Sequence, residues 1–274
     1  MKPTPVGAHA SSEVRAIRGR DVVIAVSVLL VYPWLLHGLL LLLHIHPPRP
    51  TIRAVYSLLS EAPRAVAAAV LLTKWNWWRR TGWRAPDWRQ MWLLWVPVAL
   101  VVAQWTVLHP PNRAVVYTAL ATLFALAVGF TEETWFRGLL LEGLRSRGAL
   151  QAVVVSAAAF GAFHLDSGFR GYSTVFRVFS AFGFGLVYGA ARIRIGAIWP
   201  LILIHAAQDL PHFLVPYRAT APRPMPIYEL EAAATVVGVL VVVGLVYAVV
   251  LTRRSRVERV RSSVEPVTSE TTSG

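Results

Sequence analysis

The chain has 274 residues, of which 55% are hydrophobic and only 15% are charged. A soluble domain usually carries about 25% charged residues, and here the apolar residues are gathered in long runs. Several runs are long enough to cross a hydrocarbon core roughly 30 Å thick, so the composition predicts an integral membrane protein. Because the sequence contains no cysteine, a thiol nucleophile, thiolate metal ligands and disulfides are excluded.

The formal net charge of +13 would also suit a nucleic-acid-binding protein. The 27 basic residues lie between the hydrophobic runs, however, where juxtamembrane charges are expected. No basic-aromatic binding motif accompanies them. We therefore predict that the chain contacts a lipid bilayer and has no nucleic-acid partner.

The hydrophobic runs predict an all-α fold, a polytopic transmembrane helix bundle of about eight spans. The first run follows a basic segment and is too long for a signal peptide. The second run is the least regular, because Glu61, Pro63 and Arg64 lie in its middle, and Glu61 can pair with Arg64 on one helix face. In chain order, the predicted spans are 22–44, 54–73, 90–109, 114–145, 150–165, 175–191, 195–214 and 231–252.

With eight spans, most basic residues fall on the side that holds the N-terminus, including those of the tryptophan-rich segment 74–89. The positive-inside rule then predicts that both termini are cytoplasmic. The predicted organisation is a basic cytoplasmic N-terminus (1–21), N-terminal transmembrane helices (22–115), a core of helices (116–214), a loop with the last transmembrane helix (215–252) and a disordered cytoplasmic tail (253–274).

Three groups of polar residues lie inside predicted spans, where ionisable side chains are costly and by default mark a functional site. The groups are Thr-Glu-Glu-Thr-Trp-Phe-Arg at 131–137, Phe-Gly-Ala-Phe-His at 160–164 and His-Ala-Ala-Gln-Asp at 205–209. Glu133 and Arg137 are four residues apart and can form an ion pair on one helix face. Glu132 points about 100° away from that face, which leaves it free for other contacts.

The depths of these groups within their helices are similar. Measured from the predicted cytoplasmic end of each helix, Glu132, His164 and His205 lie about 15 to 21 Å into the membrane, so the side chains can meet. This requires the helix over 116–145, which is longer than a span needs, to tilt or break. Phe160 lies one turn from His164 and can pack against its imidazole.

Two imidazoles and two carboxylates at one depth can activate water. A carboxylate held away from bulk water is a stronger base than one in solution, which suits Glu132 as a general base. His205 and Asp209 can orient a scissile carbonyl or stabilise developing negative charge. The same four groups, Glu132, His164, His205 and Asp209, could equally hold a divalent metal such as zinc, and their spacing does not separate the two mechanisms.

At these residues the chain resembles the CAAX protease and bacteriocin-processing family of intramembrane endopeptidases, also called the CPBP or Abi family. The family carries Glu-Glu-x-x-x-Arg, Phe-x-x-x-His and His-x-x-x-Asn/Asp on successive membrane helices. Here the motifs are Glu132-Glu133-x-x-x-Arg137, Phe160-x-x-x-His164 and His205-x-x-x-Asp209, within a matching region of about 116–214.

The resemblance implies a membrane peptidase, a hydrolase that acts on a peptide or protein substrate in or near the bilayer. It implies that Glu132 and His164 activate water and that His205 and Asp209 shape the oxyanion site. The family has been described both as metal-dependent and as glutamate-dependent, so the resemblance leaves the metal open.

Two other functions are compatible with the same buried polar residues. A transporter or an ion-binding membrane protein would also place His, Asp and Glu near the middle of the membrane. A non-catalytic membrane protein of the immunity type would keep the motifs for helix packing alone.

Overall fold

The computed structural model describes residues 50–165, 172–215 and 226–264, together with scattered positions and short runs between 21 and 42. Within these residues the secondary structure is helical, and no strand occurs. The α-helices are α1 (Pro50–Trp75), α2 (Trp95–Leu108), α3 (Val115–Glu132), α4 (Leu141–Leu144), α5 (Ala149–Phe163), α6 (Tyr172–Ile195), α7 (Trp199–Leu214) and α8 (Ile227–Val264).

Four helical segments of the described chain are long and apolar enough to cross a membrane: Trp88–Leu108, Val115–Arg147, Tyr172–Ile195 and Ile227–Arg253. The first of these begins with the 3-10 helix Trp88–Leu94, which runs directly into α2. These segments support the prediction of an integral membrane protein with an all-helical fold.

The remaining predicted spans are shorter, more polar or outside the described residues. The predicted spans 150–165 and 195–214 correspond to α5 and α7, which have 15 and 16 residues, whereas a perpendicular span needs about 20. The predicted span 54–73 lies within α1, which carries Glu61 and Arg64 in its middle. Most of 22–44 lies outside the described residues, so the total of about eight spans stays a prediction.

The long helix predicted over 116–145 is present as one continuous segment, Val115–Arg147. A π-helix, Glu133–Leu140, joins α3 to α4, and the 3-10 helix Arg145–Arg147 follows α4. A π-helix has wider turns than an α-helix and is frequent at functional sites. The break in regular geometry thus begins directly after Glu132, inside the first polar motif.

The core helices pack in neighbouring pairs: α3 against α1 and α7, α5 against α6, and α6 against α8. The crossing of α3 and α7 is especially close at Gly129. A Cβ atom on Gly129 would lie 2.8 Å from the carbonyl oxygen of Ile202 and 3.6 Å from the Cβ of His205. The absence of a side chain at Gly129 therefore allows α3 to approach α7 one turn before Glu132.

The last helix is longer than the sequence pattern indicates. A disordered tail is predicted from residue 253, but α8 continues to Val264. Residues 253–264 contain neither glycine nor proline and are rich in arginine, a good helix former. Because extending an existing helix avoids the cost of nucleation, the helix can propagate into this polar segment. Residues 265–274 of the predicted tail and residues 1–20 of the predicted N-terminal segment lie outside the described residues.

Candidate active site

Side chains from the first and third polar motifs meet at His205. Its Nε2 atom lies 3.5 Å from Oε2 of Glu132, at the end of α3, and 3.5 Å from Oδ2 of Asp209, one turn further along α7. His205 and Glu132 are 4% and 8% exposed. These distances are longer than a strong hydrogen bond, so the groups are neighbours that can still bind a third group between them.

Glu133 connects His205 to Arg137. The predicted ion pair is present, with 3.1 Å between NH1 of Arg137 and Oε1 of Glu133. The same Oε1 atom accepts a hydrogen bond of 2.7 Å from Nδ1 of His205, a contact that the helical spacing does not predict. Because an ionised carboxylate can only accept, Nδ1 carries the hydrogen of this bond. The other ring nitrogen, Nε2, faces Glu132 and Asp209.

Two aromatic rings enclose the guanidinium group of Arg137. Its Cζ atom lies 4.0 Å from the ring centroid of Phe160 and 5.6 Å from that of Tyr188. Arg137 and Glu133 are both completely buried. The rings stabilise the buried cation through their faces, and the cation balances the charge of Glu133, which fixes the acceptor that orients His205.

His164 joins this arrangement through Phe160. Its Nδ1 atom donates a hydrogen bond of 2.9 Å to the carbonyl oxygen of Phe160. The Phe160 ring centroid lies 4.8 Å from the centroid of His164 and 6.0 Å from that of His205. The two imidazoles therefore lie against one aromatic ring, and their separation cannot exceed the sum of these two distances. The predicted packing of Phe160 against His164 is present.

The exposure of the site increases in one direction. The exposed fraction of the side chain is 0% for Glu133, 5% for His205, 10% for Glu132 and 22% for Asp209. The site is therefore closed behind Glu133 and opens towards Asp209.

The arrangement of these side chains bears on the predicted metal role. Among the described residues, which include Glu132, His164, His205 and Asp209, no group of three His, Asp or Glu residues is placed so that it could hold a metal ion. The bond from Nδ1 of His205 to Glu133 leaves Nε2 available, and a metal-binding histidine commonly donates its other ring N–H to a carboxylate in this way. The metal role of Glu132, His164, His205 and Asp209 therefore stays a prediction.

Two further residues contact the site. The Tyr188 ring lies 6.0 Å from that of His205, and its hydroxyl donates a hydrogen bond of 2.6 Å to Oε1 of Gln208. Glu61 on α1 accepts a hydrogen bond of 2.9 Å from Oγ1 of Thr131. The sequence shows the pairing of Glu61 with Arg64, which is present, but not the contact with Thr131, because that contact depends on how α1 packs against α3.

Residues 114–211 match the protein-family model described as Rce1-like, type II CAAX prenyl endopeptidase. This segment runs from the start of α3 into α7 and includes all the residues that the three motifs single out. No curated protein and no solved structure matches the chain significantly. The family match confirms the resemblance to the CAAX protease family, and the segment of this chain that carries the candidate site is similar to a type II CAAX prenyl endopeptidase.

Proposed function

We propose that the chain is an intramembrane endopeptidase that hydrolyses a peptide bond with a water molecule activated by Glu132. The proposal rests above all on the contact between the imidazole of His205 and two carboxylates, Glu132 from a different helix and Asp209 from its own. A general base must lie within hydrogen-bond reach of the water that it deprotonates and close to groups that stabilise the product charge. The contact between Glu132 and His205 supports both roles in this proposal.

The proposed reaction uses side chains alone. Glu132 takes a proton from water, His164 holds the same water from the other side, and the resulting hydroxide attacks the carbonyl carbon of the scissile bond. The carbonyl oxygen becomes an oxyanion, which accepts a hydrogen bond from Nε2 of His205. Glu132 then gives its proton to the amide nitrogen, and the C–N bond breaks to release an amine and a carboxylic acid.

The supporting residues act on His205 in this proposal. Glu133 accepts the hydrogen bond from Nδ1 of His205 and is held in turn by Arg137. The negative charge of Asp209, 3.5 Å from Nε2, favours a hydrogen on that nitrogen. Because an ionised carboxylate cannot itself donate to an oxyanion, we assign Asp209 to His205 rather than to the substrate.

The substrate class follows from the membrane location and from the family match. We propose a membrane-associated peptide or protein as the substrate, cleaved in or near the bilayer. The matched family is described as a CAAX prenyl endopeptidase, so the first substrates to test are otherwise identical peptides with and without a prenyl group.

The decisive experiment is cleavage of these peptides by the purified protein in lipid vesicles. Glu132→Gln should reduce turnover by at least about a hundredfold while the protein stays folded, and Glu231→Gln, an exposed position on α8, should leave turnover unchanged. A chelator should have no effect in the proposed mechanism, which activates water with side chains alone, whereas loss of turnover with the chelator would indicate the metal-assisted alternative.

Other outcomes would point to the other functions. Wild-type turnover in Glu132→Gln would contradict the proposal. Loss of folded protein in that variant, together with no cleavage by the wild type, would indicate a packing role for the motifs. Ion- or proton-driven uptake into the vesicles without cleavage would indicate a transporter.

A further inference from the structure

We propose that Glu61 and Arg64 on α1 are positioning residues of the same active site, acting on Glu132 from a helix that lies outside the Rce1-like segment. The matched segment begins at residue 114, so it does not include α1. The inference rests on the proposed peptidase function and adds a helix to the site that carries it.

The first observation is the position of the Glu61 carboxylate. Glu61 is 4% exposed, and its two oxygens have different partners on two helices. Oε2 accepts the 2.9 Å hydrogen bond from Oγ1 of Thr131 on α3, and Oε1 forms the ion pair with Arg64 one turn further along α1. Thr131 directly precedes Glu132 in the chain, so Glu61 is hydrogen-bonded to the side chain of the residue next to the proposed base.

The second observation is that Arg64 contacts the site through both its backbone carbonyl oxygen and its guanidinium group. Its carbonyl oxygen accepts a hydrogen bond of 3.2 Å from Nε1 of Trp135, in the π-helix that follows Glu132. Its guanidinium lies 5.3 Å from the ring centroid of Phe163, the residue before His164. Contacts from α1 thus flank Glu132 at positions 131 and 135 and reach the end of α5.

The third observation concerns charge. Besides His205 and Asp209 from α7, Glu61 and Arg64 from α1 bring charges close enough to Glu132 to interact with it, as their contacts with Thr131 and Trp135 indicate. In a largely buried site, charges interact more strongly than in solution. Glu61 and Arg64 are together neutral. Loss of Arg64 would leave an extra negative charge beside Glu132, loss of Glu61 would leave an extra positive charge, and loss of both would leave the net charge unchanged.

A positioning role and simple packing predict different effects on kcat. If the pair only fastened α1 to α3, each single variant would leave a buried unpaired charge and lower stability and the amount of folded protein, but kcat per folded molecule would be unchanged in all three variants. If the pair also sets the charge next to Glu132, each single neutralisation lowers kcat, and the double neutralisation restores it.

The experiment is a double-mutant cycle on kcat and KM with Glu61→Gln, Arg64→Gln and the double variant. Glutamine can still accept the hydrogen bond from Thr131, so the changes are mainly electrostatic. We expect each single variant to lose about tenfold to a hundredfold in kcat with little change in KM, and the double variant to return to within about fivefold of the wild type. Arg64→Lys, which keeps the charge, should retain most of the activity.

The chain offers a matched control pair. Arg80 and Glu142 form an ion pair of 3.6 Å, and Glu142 lies ten residues beyond Glu132 on the same continuous helical segment, roughly 15 Å away. The cycle with Arg80→Gln and Glu142→Gln should show no coupling in kcat. If Glu61→Gln does not fold, Thr131→Val tests the same link, because it removes the hydroxyl that donates to Glu61 and that also lies within bonding distance of the carbonyl oxygens of Ala127 and Val128 in its own helix. Its kcat should fall several-fold at unchanged KM.

A readout that does not require turnover completes the test. The infrared carboxyl band of Glu132 is identified as the band that is lost in Glu132→Gln, and it should shift in Arg64→Gln and return in the double variant. A wild-type protein that cleaves no substrate would refute the proposed function, while the band would still test the positioning role. An unshifted band, or a double variant as inactive as the worse single variant, would overturn the inference.

Discussion

The close crossing of α3 and α7 at Gly129 should make the site sensitive to one added methyl group. In Gly129→Ala, the new Cβ atom would lie 2.8 Å from the carbonyl oxygen of Ile202, whereas ordinary van der Waals contact begins at 3.4 Å. Because this oxygen belongs to the backbone of α7, it cannot rotate away as a side chain could. The two helices would have to separate locally by about 0.6 Å to restore normal contact.

The separation should reach the proposed catalytic groups. Glu132 lies three residues beyond Gly129 on α3, and His205 lies three residues beyond Ile202 on α7, so their 3.5 Å contact spans the same crossing. A misplacement of about 1 Å can cost about a hundredfold in rate, and we expect a fall in kcat of roughly 5- to 50-fold. Overpacking costs about 1–3 kcal/mol, and the better helix propensity of alanine offsets up to about 1 kcal/mol of it, so the variant should still fold.

Gly238→Ala on α8 is the matched control, since no atom lies within 4 Å of a Cβ at that position. Both variants gain the same methyl group and the same helix propensity, but only Gly129→Ala meets a neighbouring backbone. The assay compares kcat at saturating substrate with the thermal unfolding midpoint, in the same detergent or lipid. If Gly129→Ala is as active as Gly238→Ala, the α3–α7 crossing does not control the distance between Glu132 and His205.

Two further variants test the supporting residues. Glu133→Gln removes the carboxylate that pairs with the completely buried Arg137, so it should destabilise the protein by about 3–5 kcal/mol; an unfolding midpoint equal to that of the wild type would show that Arg137 has another partner. Tyr188→Phe keeps the ring against His205 and Arg137 but loses the hydrogen bond to Gln208, and should cost less than about tenfold in kcat, whereas Tyr188→Ala, which also removes the ring, should cost more. Equal activities of these two variants would rule out a role for the ring in holding Arg137 and His205.

Several features of this protein follow from local sequence because they depend on neighbouring residues along the chain. Long apolar runs predict helices that can cross a membrane, and four such helices are present in the described part of the chain. Residues three or four apart share a helix face, which is why the Glu133–Arg137 and Glu61–Arg64 pairs could be predicted before the fold was known. The three polar motifs were recognisable because charged groups are rare inside hydrophobic runs.

The contacts that assemble the site are instead tertiary. The bond from His205 to Glu133 and the bond from Thr131 to Glu61 join residues 72 and 70 positions apart, and no local spacing encodes them. They exist because Gly129 lets α3 and α7 cross closely, because α1 packs against α3, and because the π-helix changes the direction of side chains after Glu132. Sequence alone therefore determined which residues are unusual in a membrane helix, and helix packing decided which of them touch, since the distance between two helices depends on the shapes of both surfaces.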